Sequence, residues 1–289
     1  KVSVLTGPVC KQMLAGADFL EQVYLYQPRM PLNALRAAGF DAVVDFDDVK
    51  TYERFKLLAD LQPGCVIGFN KQEYKLYDHS IPFLDSSSHI SARYKAVARL
   101  FGIEHPHYHY HLPGDAFERE RVKTLLAQQQ GSELCIAINP FTASTDKDFC
   151  RHQVSALIER LYTLPYKISV VMVGHSEKIR QLNLETALHL PDSNINSAVE
   201  IVRHCDLVIT ADTAIVHIAR AFDKPMVAVY NKRKLKDTGL PGYTIWAPGY
   251  DKARQIVCEE TNVADMTIDA VWPVIKAQAD ALIAARQQA

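Results

Sequence analysis

Short β-branched runs alternate with polar turns and helical patterns through most of the chain. In the second half this pattern predicts strands over 135–139, 168–173, 207–210 and 226–230, with helical stretches between them. Such alternation is typical of parallel strands that are covered by helices and joined by right-handed crossovers. The chain is therefore predicted to have an α/β fold.

The first half of the chain repeats this pattern with shorter predicted strands, and a Pro-Gly turn at 113–114 separates the two halves. We place a domain boundary there, which gives one Rossmann-like domain over 1–114 and a second over 115–289. Doubly wound domains of this kind bind ligands outside the carboxyl ends of their strands. The last predicted helix, over 268–286, is long enough to pack back on the first domain.

The composition narrows the class of protein. Of the 289 residues, 48% are hydrophobic, which suffices for a full core, and the net charge of −1 does not favour nucleic acid as a partner. The longest apolar runs have the length of strands and cannot span a bilayer. Because no signal peptide is visible, we expect a cytoplasmic protein. The six cysteines form no CxxC pair, and we interpret them as reduced thiols rather than as a zinc site.

The segment 206–230 is the most informative part of the sequence. It is predicted to form a strand, a tight turn, a short helix, a Lys-Pro turn and another strand. Asp212 and Thr213 fall at the start of the helix, where free amides and the helix dipole favour a phosphate. His217 lies one turn further along, on the same side as Thr213. The alternative is an ordinary capped helix with a histidine that faces the core.

Two other turns follow predicted strands of the same sheet. The first carries Thr142 and Lys147, whose hydroxyl and ammonium groups suit a diphosphate, although the turn also fits a solvated polar loop. The second carries Gly174, which permits close backbone approach, and Glu177, which can accept hydrogen bonds from ribose or simply favour the first turn of its helix. Because the carboxyl ends of parallel strands meet at one edge, we expect all three turns to converge.

The chain resembles glycosyltransferase family 9, the lipopolysaccharide heptosyltransferase family. The signature of that family is a strand, then Asp-Ser/Thr-Gly-x-x-His, a short Ala-rich helix, Lys-Pro and another strand. The matching positions here are Asp212, Thr213, His217, Ala219, Ala221, Lys224 and Pro225. The two other turns also match, and the resemblance extends more loosely over nearly the whole chain.

The resemblance implies a GT-B type fold, in which two Rossmann-like domains have parallel sheets that face a central cleft. It also implies an inverting transfer without metal or other cofactor, from a nucleotide sugar similar to ADP-heptose to a lipid-linked oligosaccharide of the lipopolysaccharide core. The enzyme would be cytoplasmic, with peripheral association at the inner membrane. The implied donor contacts are Thr142 and Lys147 at the diphosphate, Glu177 at the ribose and Asp212 at the sugar. Thr213, the amide of Ala214 and His217 would complete the phosphate site, and Gly174 would belong to the donor site through the turn that it shares with Glu177.

The sequence departs from the family pattern in two places. Ala214 occupies the position of a glycine, so a positive φ there would cost about 1–2 kcal/mol. The first strand and the loop of the family that carries the presumed general base are not found, so the chain resembles the family from its second strand onward. Asp45 and Asp47, at the end of a predicted strand, are candidate bases, although they also fit a solvated strand end.

The sequence leaves other interpretations open for the basic run, for the alternating histidines and for the function. The basic run 231–236 suits a phosphorylated acceptor, lipid headgroups or plain solvation. The alternating histidines at 105, 107, 109 and 111 suit a metal only weakly, and no metal site is predicted. The rival functions are a GT-B relic that binds a nucleotide sugar without turnover, and another sugar-nucleotide enzyme such as an epimerase. A dinucleotide-dependent oxidoreductase is disfavoured, because no Gly-x-Gly-x-x-Gly turn follows a predicted strand.

Overall fold

The computed structural model describes residues 1–83, 85, 87–104, 109–129, 131–184, 186–236 and 238–288. Contacts between residues divide the chain into two compact units. The first unit comprises Lys1–Leu25, His109–Arg233 and Trp246–Ala289, and the second comprises Tyr26–Tyr108 and Lys234–Ile245. The boundary at 114 that the sequence suggests falls inside the first unit, and the division into domains 1–114 and 115–289 stays a prediction.

The described residues form parallel strands interleaved with helices, and this confirms the predicted α/β class. The strands are β1 (Ser3–Thr6), β2 (Gln22–Leu25), β3 (Val43–Val44), β4 (Val66–Phe69), β5 (His79–Ile81), β6 (Leu134–Asn139), β7 (Ile168–Met172), β8 (Leu207–Ala211), β9 (Met226–Tyr230) and β10 (Ala253–Val257). The helices are α1 (Pro8–Met13), α2 (Asn33–Ala37), α3 (Tyr52–Leu61), α4 (Ser91–Leu100), α5 (Ala116–Leu126), α6 (Arg151–Tyr162), α7 (Ser176–Leu182), α8 (Ile195–His204), α9 (Ala214–Ala221), α10 (Gly242–Ile245) and α11 (Ile268–Gln287).

The main sheet of the first unit has the strand order β10-β9-β8-β6-β7, and its paired strands are parallel. Every residue of β7, β8 and β9 is buried, as expected for strands that are covered on both faces. In chain order the sheet begins with β6, adds β7 on one side of it, and then adds β8, β9 and β10 on the other side. The order of strands therefore switches between β6 and β8, and doubly wound folds bind their ligands at such a switch point.

The last helix packs on this main sheet. Its buried residues Val271, Ile275, Ala279 and Ile283 recur every fourth position and therefore form one stripe. They share a core with strand residues of β6, β8 and β9. Across the described residues, none of the helices combines the length and the apolar character that crossing a bilayer requires.

The smaller sheets are also parallel. In the first unit β1 pairs with β2, and the intervening α1 contacts α8. In the second unit β3, β4 and β5 form a three-stranded sheet in that order. Leu58 of α3, Val66 of β4 and Tyr77 form a small buried cluster in this unit.

Local sequence signals explain where two helices begin and end. The sequence pattern predicts helices over 52–61 and 177–190. The first of these is α3: Thr51 caps its first turn by accepting a hydrogen bond from the Arg54 amide at 3.4 Å, and Gln62 ends it in the left-handed conformation. The second, α7, stops at Leu182. Asn183 has a φ of 48°, a conformation that asparagine tolerates better than most residues and that ends a helix.

Candidate active site

An ion pair joins the loops that follow β6 and β8. Lys147 lies on a 3-10 turn over Thr145–Lys147, and Asp212 directly follows β8. The Lys147 Nζ donates a hydrogen bond to Asp212 Oδ2 at 2.6 Å, and the two side chains are 21% and 10% exposed. This pair therefore stands at the switch point of the main sheet, partly shielded from water but still open to it.

The N-terminus of α9 adjoins this ion pair. Thr213 is the N-cap residue: its backbone is extended and its Oγ1 accepts a hydrogen bond from the Ile215 amide at 3.0 Å. Ala214, the first residue of the helix, is exposed to solvent. Free amides and the positive end of the helix dipole favour an anion at this position, and the Lys147 ammonium adds a full positive charge beside it.

Ala214 does not require the strained backbone that the family glycine suggested. It is helical, and it is not among the residues with positive φ. The expected cost of 1–2 kcal/mol therefore does not arise, because an alanine is a good residue for the first turn of a helix. The exposed position leaves its amide within reach of a ligand.

Asn139, the last residue of β6, fixes the loops on either side of the switch point. Its side chain is buried, and its Nδ2 lies 3.0 Å from both Thr210 Oγ1 and Thr213 Oγ1 and 3.2 Å from the carbonyl oxygen of Phe141. These contacts bind the end of β6 to the cap of α9. No role of Asn139 is predicted from the sequence, although a polar residue that ends an apolar strand is a usable signal.

Gly174 brings the third loop against the first. Its φ is +148°, and a Cβ atom at this position would lie 3.0 Å from Phe141 Cδ2 and 3.8 Å from Asn139 Oδ1. Lys178 makes a second connection, because its Nζ donates to the carbonyl oxygen of Thr142 at 3.3 Å and lies 3.6 Å from Asp148 Oδ2. The three loops therefore converge as the topology predicts. Lys178 is not among the predicted site residues, since a lysine in the first turn of a helix carries no distinctive pattern.

Gly174→Ala is expected to weaken the protein by about 1–3 kcal/mol, because a side chain is strained at this φ. It is also expected to raise the KM for the donor, since the new methyl group pushes Phe141 and the loop behind it. Gly131→Ala is the matched control: its φ is +79°, but the nearest heavy atom to a Cβ is Lys167 Nζ at 4.0 Å. Urea unfolding and initial rates measure both effects. A KM that rises equally in both variants would contradict this role of Gly174.

Thr142 and Glu177 have local partners. The Thr142 hydroxyl donates to the carbonyl oxygen of Ser144 at 2.6 Å and accepts from the Ser144 amide at 2.9 Å, which closes a tight turn. Glu177 is exposed and accepts a hydrogen bond from Arg180 at 2.6 Å. This hydrogen bond holds the pKa of Glu177 below its ordinary value, so the side chain is a carboxylate at neutral pH. Contacts of either residue with a nucleotide stay predictions.

His217 packs among aromatic rings on the second turn of α9. The ring centroids of Tyr110 and Trp246 each lie 5.7 Å from the centroid of His217. Trp246 is held in turn by Tyr230, whose hydroxyl donates to the Trp246 carbonyl oxygen at 2.8 Å. The imidazole is therefore fixed near the helix start, where the sequence placed it, and its role toward a phosphate stays a prediction.

The two candidate bases belong to the second unit and differ in exposure. Asp45 is buried, and its Oδ2 accepts hydrogen bonds from Lys71 at 2.7 Å and from Tyr77 at 2.8 Å. Burial and the hydrogen bond to Asp45 raise the pKa of Tyr77 above its usual range. Asp47 is 38% exposed and pairs with Arg54 at 2.7 Å. Asp45 has the environment of a structural carboxylate, whereas Asp47 is within reach of solvent, and a catalytic role for either stays a prediction.

The described residues hold no group of three or more His, Cys, Asp and Glu side chains that could bind a metal ion. His105 and His107 lie outside the described residues, so the alternating histidines are not tested and the absence of a metal stays a prediction. In the basic run, Arg233 pairs with Asp146 at 3.4 Å and Lys232 pairs with Glu259. At least these two cations are therefore partly neutralised by the protein itself.

A lysine and a helix N-terminus at the switch point of a doubly wound sheet are typical of α/β proteins that bind phosphate groups or nucleotides. Comparison with known proteins identifies the family within this class. The family model of glycosyltransferase family 9 (heptosyltransferase) matches residues 32–268, and the chain belongs to this family. This confirms the family resemblance seen in the sequence.

Individual relatives agree with this assignment. A protein of Escherichia coli K12 named "Putative lipopolysaccharide heptosyltransferase 4" is 25% identical over 250 residues, which cover 84% of this chain and 67% of that protein. The structure of E. coli ADP-heptose lps heptosyltransferase II is similar with a TM-score of 0.76 and 17% identity, covering 99% of this chain and 90% of that chain. E. coli heptosyltransferase WaaC with ADP is similar with a TM-score of 0.69 and 18% identity, covering 97% and 88%.

The structural similarity shows the fold, and the family match shows the type of enzyme. The predicted GT-B type fold with parallel sheets is confirmed. The chain is a glycosyltransferase, as the sequence predicts. Family membership also gives the loops at the switch point an interpretation, because a glycosyltransferase must hold an activated sugar donor.

Proposed function

We propose that this glycosyltransferase transfers a heptose, with inversion, from ADP-heptose or a similar nucleotide sugar to an acceptor of the lipopolysaccharide core. The observation that carries the proposal is the ion pair of Lys147 and Asp212 beside the N-terminus of α9. The family description and the names of the relatives support heptose and lipopolysaccharide as substrates. We also propose that the enzyme is cytoplasmic and associates peripherally with the inner membrane, where it would meet a lipid-linked acceptor.

The site suits a leaving group that gains negative charge. When the bond between sugar and phosphate breaks, the nucleoside diphosphate takes up the bonding electrons. The Lys147 ammonium and the first-turn amides of α9 can stabilise that charge, and such preorganised donors lower the barrier to transfer. In this proposal Lys147 exchanges the carboxylate of Asp212 for a phosphate oxygen. Asp212 is then free to accept hydrogen bonds from hydroxyl groups of the sugar.

The other predicted residues complete the proposed site. Gly174 allows a close approach of the backbone, Thr142 shapes the loop that carries Lys147, and Glu177 would accept hydrogen bonds from the ribose. We also propose that transfer needs no metal or other cofactor. The lysine and the helix N-terminus supply positive charge where other glycosyltransferases could use a divalent cation.

A donor panel tests the function. The purified protein is given a lipopolysaccharide core acceptor that lacks heptose, together with ADP-heptose, UDP-glucose or GDP-mannose, and release of the nucleotide and modification of the acceptor are measured. We expect transfer from ADP-heptose, and we expect the rate to be unchanged by EDTA. Nucleotide binding without turnover would favour the relic, a product made from the donor alone would favour an epimerase, and loss of activity in EDTA would contradict metal independence.

A further inference from the structure

Two thiols face each other at the amino end of the main sheet. Cys135 is the second residue of β6, and Cys205 immediately follows α8 and precedes the Asp206–β8 connection. Their Sγ atoms are 3.3 Å apart. Both residues are free thiols in this structure. The distance is that of close contact, so only a small displacement separates the pair from bonding distance.

Backbone contacts hold the two thiols in this arrangement. The Cys135 amide donates to Asp206 Oδ2 at 2.8 Å, and the Asp206 amide donates to the Cys135 carbonyl oxygen, also at 2.8 Å. Lys224 fixes the other side, because its Nζ donates to the Cys205 carbonyl oxygen at 2.7 Å. The register of β6 and β8, in which Ile136 pairs with Leu207, places Cys135 beside Asp206, the residue that follows Cys205. The short distance between the two Sγ atoms shows that the side chains face each other across this connection.

The two thiols differ in access and in acidity. Cys205 is fully buried, whereas Cys135 is only partly buried and can be reached from solvent. The hydrogen bond from the Cys205 thiol lowers the pKa of Cys135, while burial raises the pKa of Cys205. Cys135 is therefore the thiol that ionises first, and a thiolate is the form that attacks a disulfide.

We propose that Cys135 and Cys205 form a redox-active dithiol that closes to an intramolecular disulfide when the protein meets a low-molecular-weight disulfide. The Cys135 thiolate attacks one sulfur of the small disulfide, and the S–S bond breaks to release one small thiolate. Cys205 then loses its proton and attacks the Sγ of Cys135, which releases the second small thiol. In sum, two protein thiols are oxidised to one disulfide, and the small disulfide is reduced to two thiols.

The new bond would join β6 to the start of β8 at the end of the sheet opposite Asn139 and Asp212. Both strands lead into the candidate active site, so the bond ties together the two segments that position it. We expect the oxidised protein to resist unfolding better than the reduced protein, because the cross-link restricts the unfolded chain.

The experiment exposes the reduced protein to oxidised glutathione and follows three readouts. Thiol titration after denaturation is expected to fall from six thiols to four, the intact mass to fall by two hydrogen atoms, and peptide mapping to link the segments that contain residues 135 and 205. The unfolding temperature should rise and return to its original value after reduction with dithiothreitol.

Variants separate this pair from the other cysteines. Cys135→Ser and Cys205→Ala should each abolish the cross-link, whereas Cys258→Ser, which alters another buried thiol, should leave it intact. Cys205→Ala avoids placing a hydroxyl group in the core. Because Cys135 is only partly buried, Cys135→Ser gives a second test that leaves the core undisturbed. Six remaining thiols, a stable glutathione adduct on Cys135, or a disulfide between other cysteines would overturn the proposal.

Discussion

Lys147→Ala is expected to reduce kcat/KM for the nucleotide sugar by about 100-fold to 1,000-fold, the usual effect of removing one preorganised donor from a developing negative charge. The substitution also leaves the carboxylate of Asp212, which is only 10% exposed, without the ammonium that now lies 2.6 Å away. The remaining negative charge then repels the diphosphate. Binding of ADP, measured by calorimetry, should weaken along with turnover.

Two further variants distinguish this effect from a general loss of positive charge. Lys123→Ala removes an exposed lysine that pairs with Glu120 on α5, and it should leave both binding and turnover unchanged. Lys147→Arg keeps the charge but changes its shape, so it should retain part of the ADP affinity and less of the rate. If Lys147→Ala binds ADP as tightly as the wild type, the donor site has been placed on the wrong loop.

Asp45→Ala is expected to lower the free energy of unfolding by about 3–5 kcal/mol, the usual result of removing one partner from a buried ion pair. Lys71 is fully buried, and its Nζ donates to Asp45 Oδ2 at 2.7 Å and to the Asp47 carbonyl oxygen at 2.5 Å. Without the carboxylate, the contacts that the ammonium keeps among the described residues are the carbonyl oxygen of Asp47 and the nearby ring of Tyr77. Urea unfolding, with an unchanged slope against denaturant concentration, would show the loss directly.

Replacing Asp45, Lys71 and Tyr77 together tests whether the unpaired buried charge causes the loss of stability. A triple variant with Asp45→Leu, Lys71→Met and Tyr77→Phe removes every charge and hydroxyl together, and it should recover most of the lost stability. Asp47→Ala is the matched control, because its partly exposed pair with Arg54 should contribute less than about 1 kcal/mol. An Asp45→Ala protein that is as stable as Asp47→Ala but inactive would restore Asp45 as a candidate base.

The convergence of the candidate site could be foreseen from the sequence because it follows from topology alone. Strands that are apolar throughout must be buried on both faces, and buried parallel strands place the turns at their carboxyl ends side by side. Each of the three turns alone also fits an ordinary structural role, but their expected convergence at one edge of the sheet predicts a shared binding site. The contacts of Lys147 with Asp212 and of Gly174 with Phe141 bear out this convergence.

Two other features of the structure could not be predicted from the sequence, each for a physical reason. The hydrogen bonds of Asn139 and Lys178 join residues that are far apart in the chain, and no periodicity in the sequence reports such contacts. The end of α7 depends on one left-handed residue, Asn183, in a stretch whose apolar spacing continues to suit a helix.

The grouping of distant segments into compact units is likewise not visible in local sequence patterns. A change in composition near 114 marks a turn, but it does not report which distant segments pack together. In the structure, residues 1–25 are grouped with the first unit, because β1 and β2 pair with each other and α1 packs against α8. Short edge elements such as β5, with three residues, are also poorly determined by local pattern, since neighbouring strands rather than their own residues stabilise them.

The carboxylate of Asp212 competes with every anion that approaches Lys147. In the proposed donor site, an incoming diphosphate would have to displace a partner that already pairs with Lys147 at 2.6 Å, so simple anions such as chloride or inorganic phosphate would gain little by binding. The Asp212 carboxylate would pair with the ammonium again when the nucleotide product leaves. Selectivity against small anions and ready release of product would thus follow from a single pair of side chains.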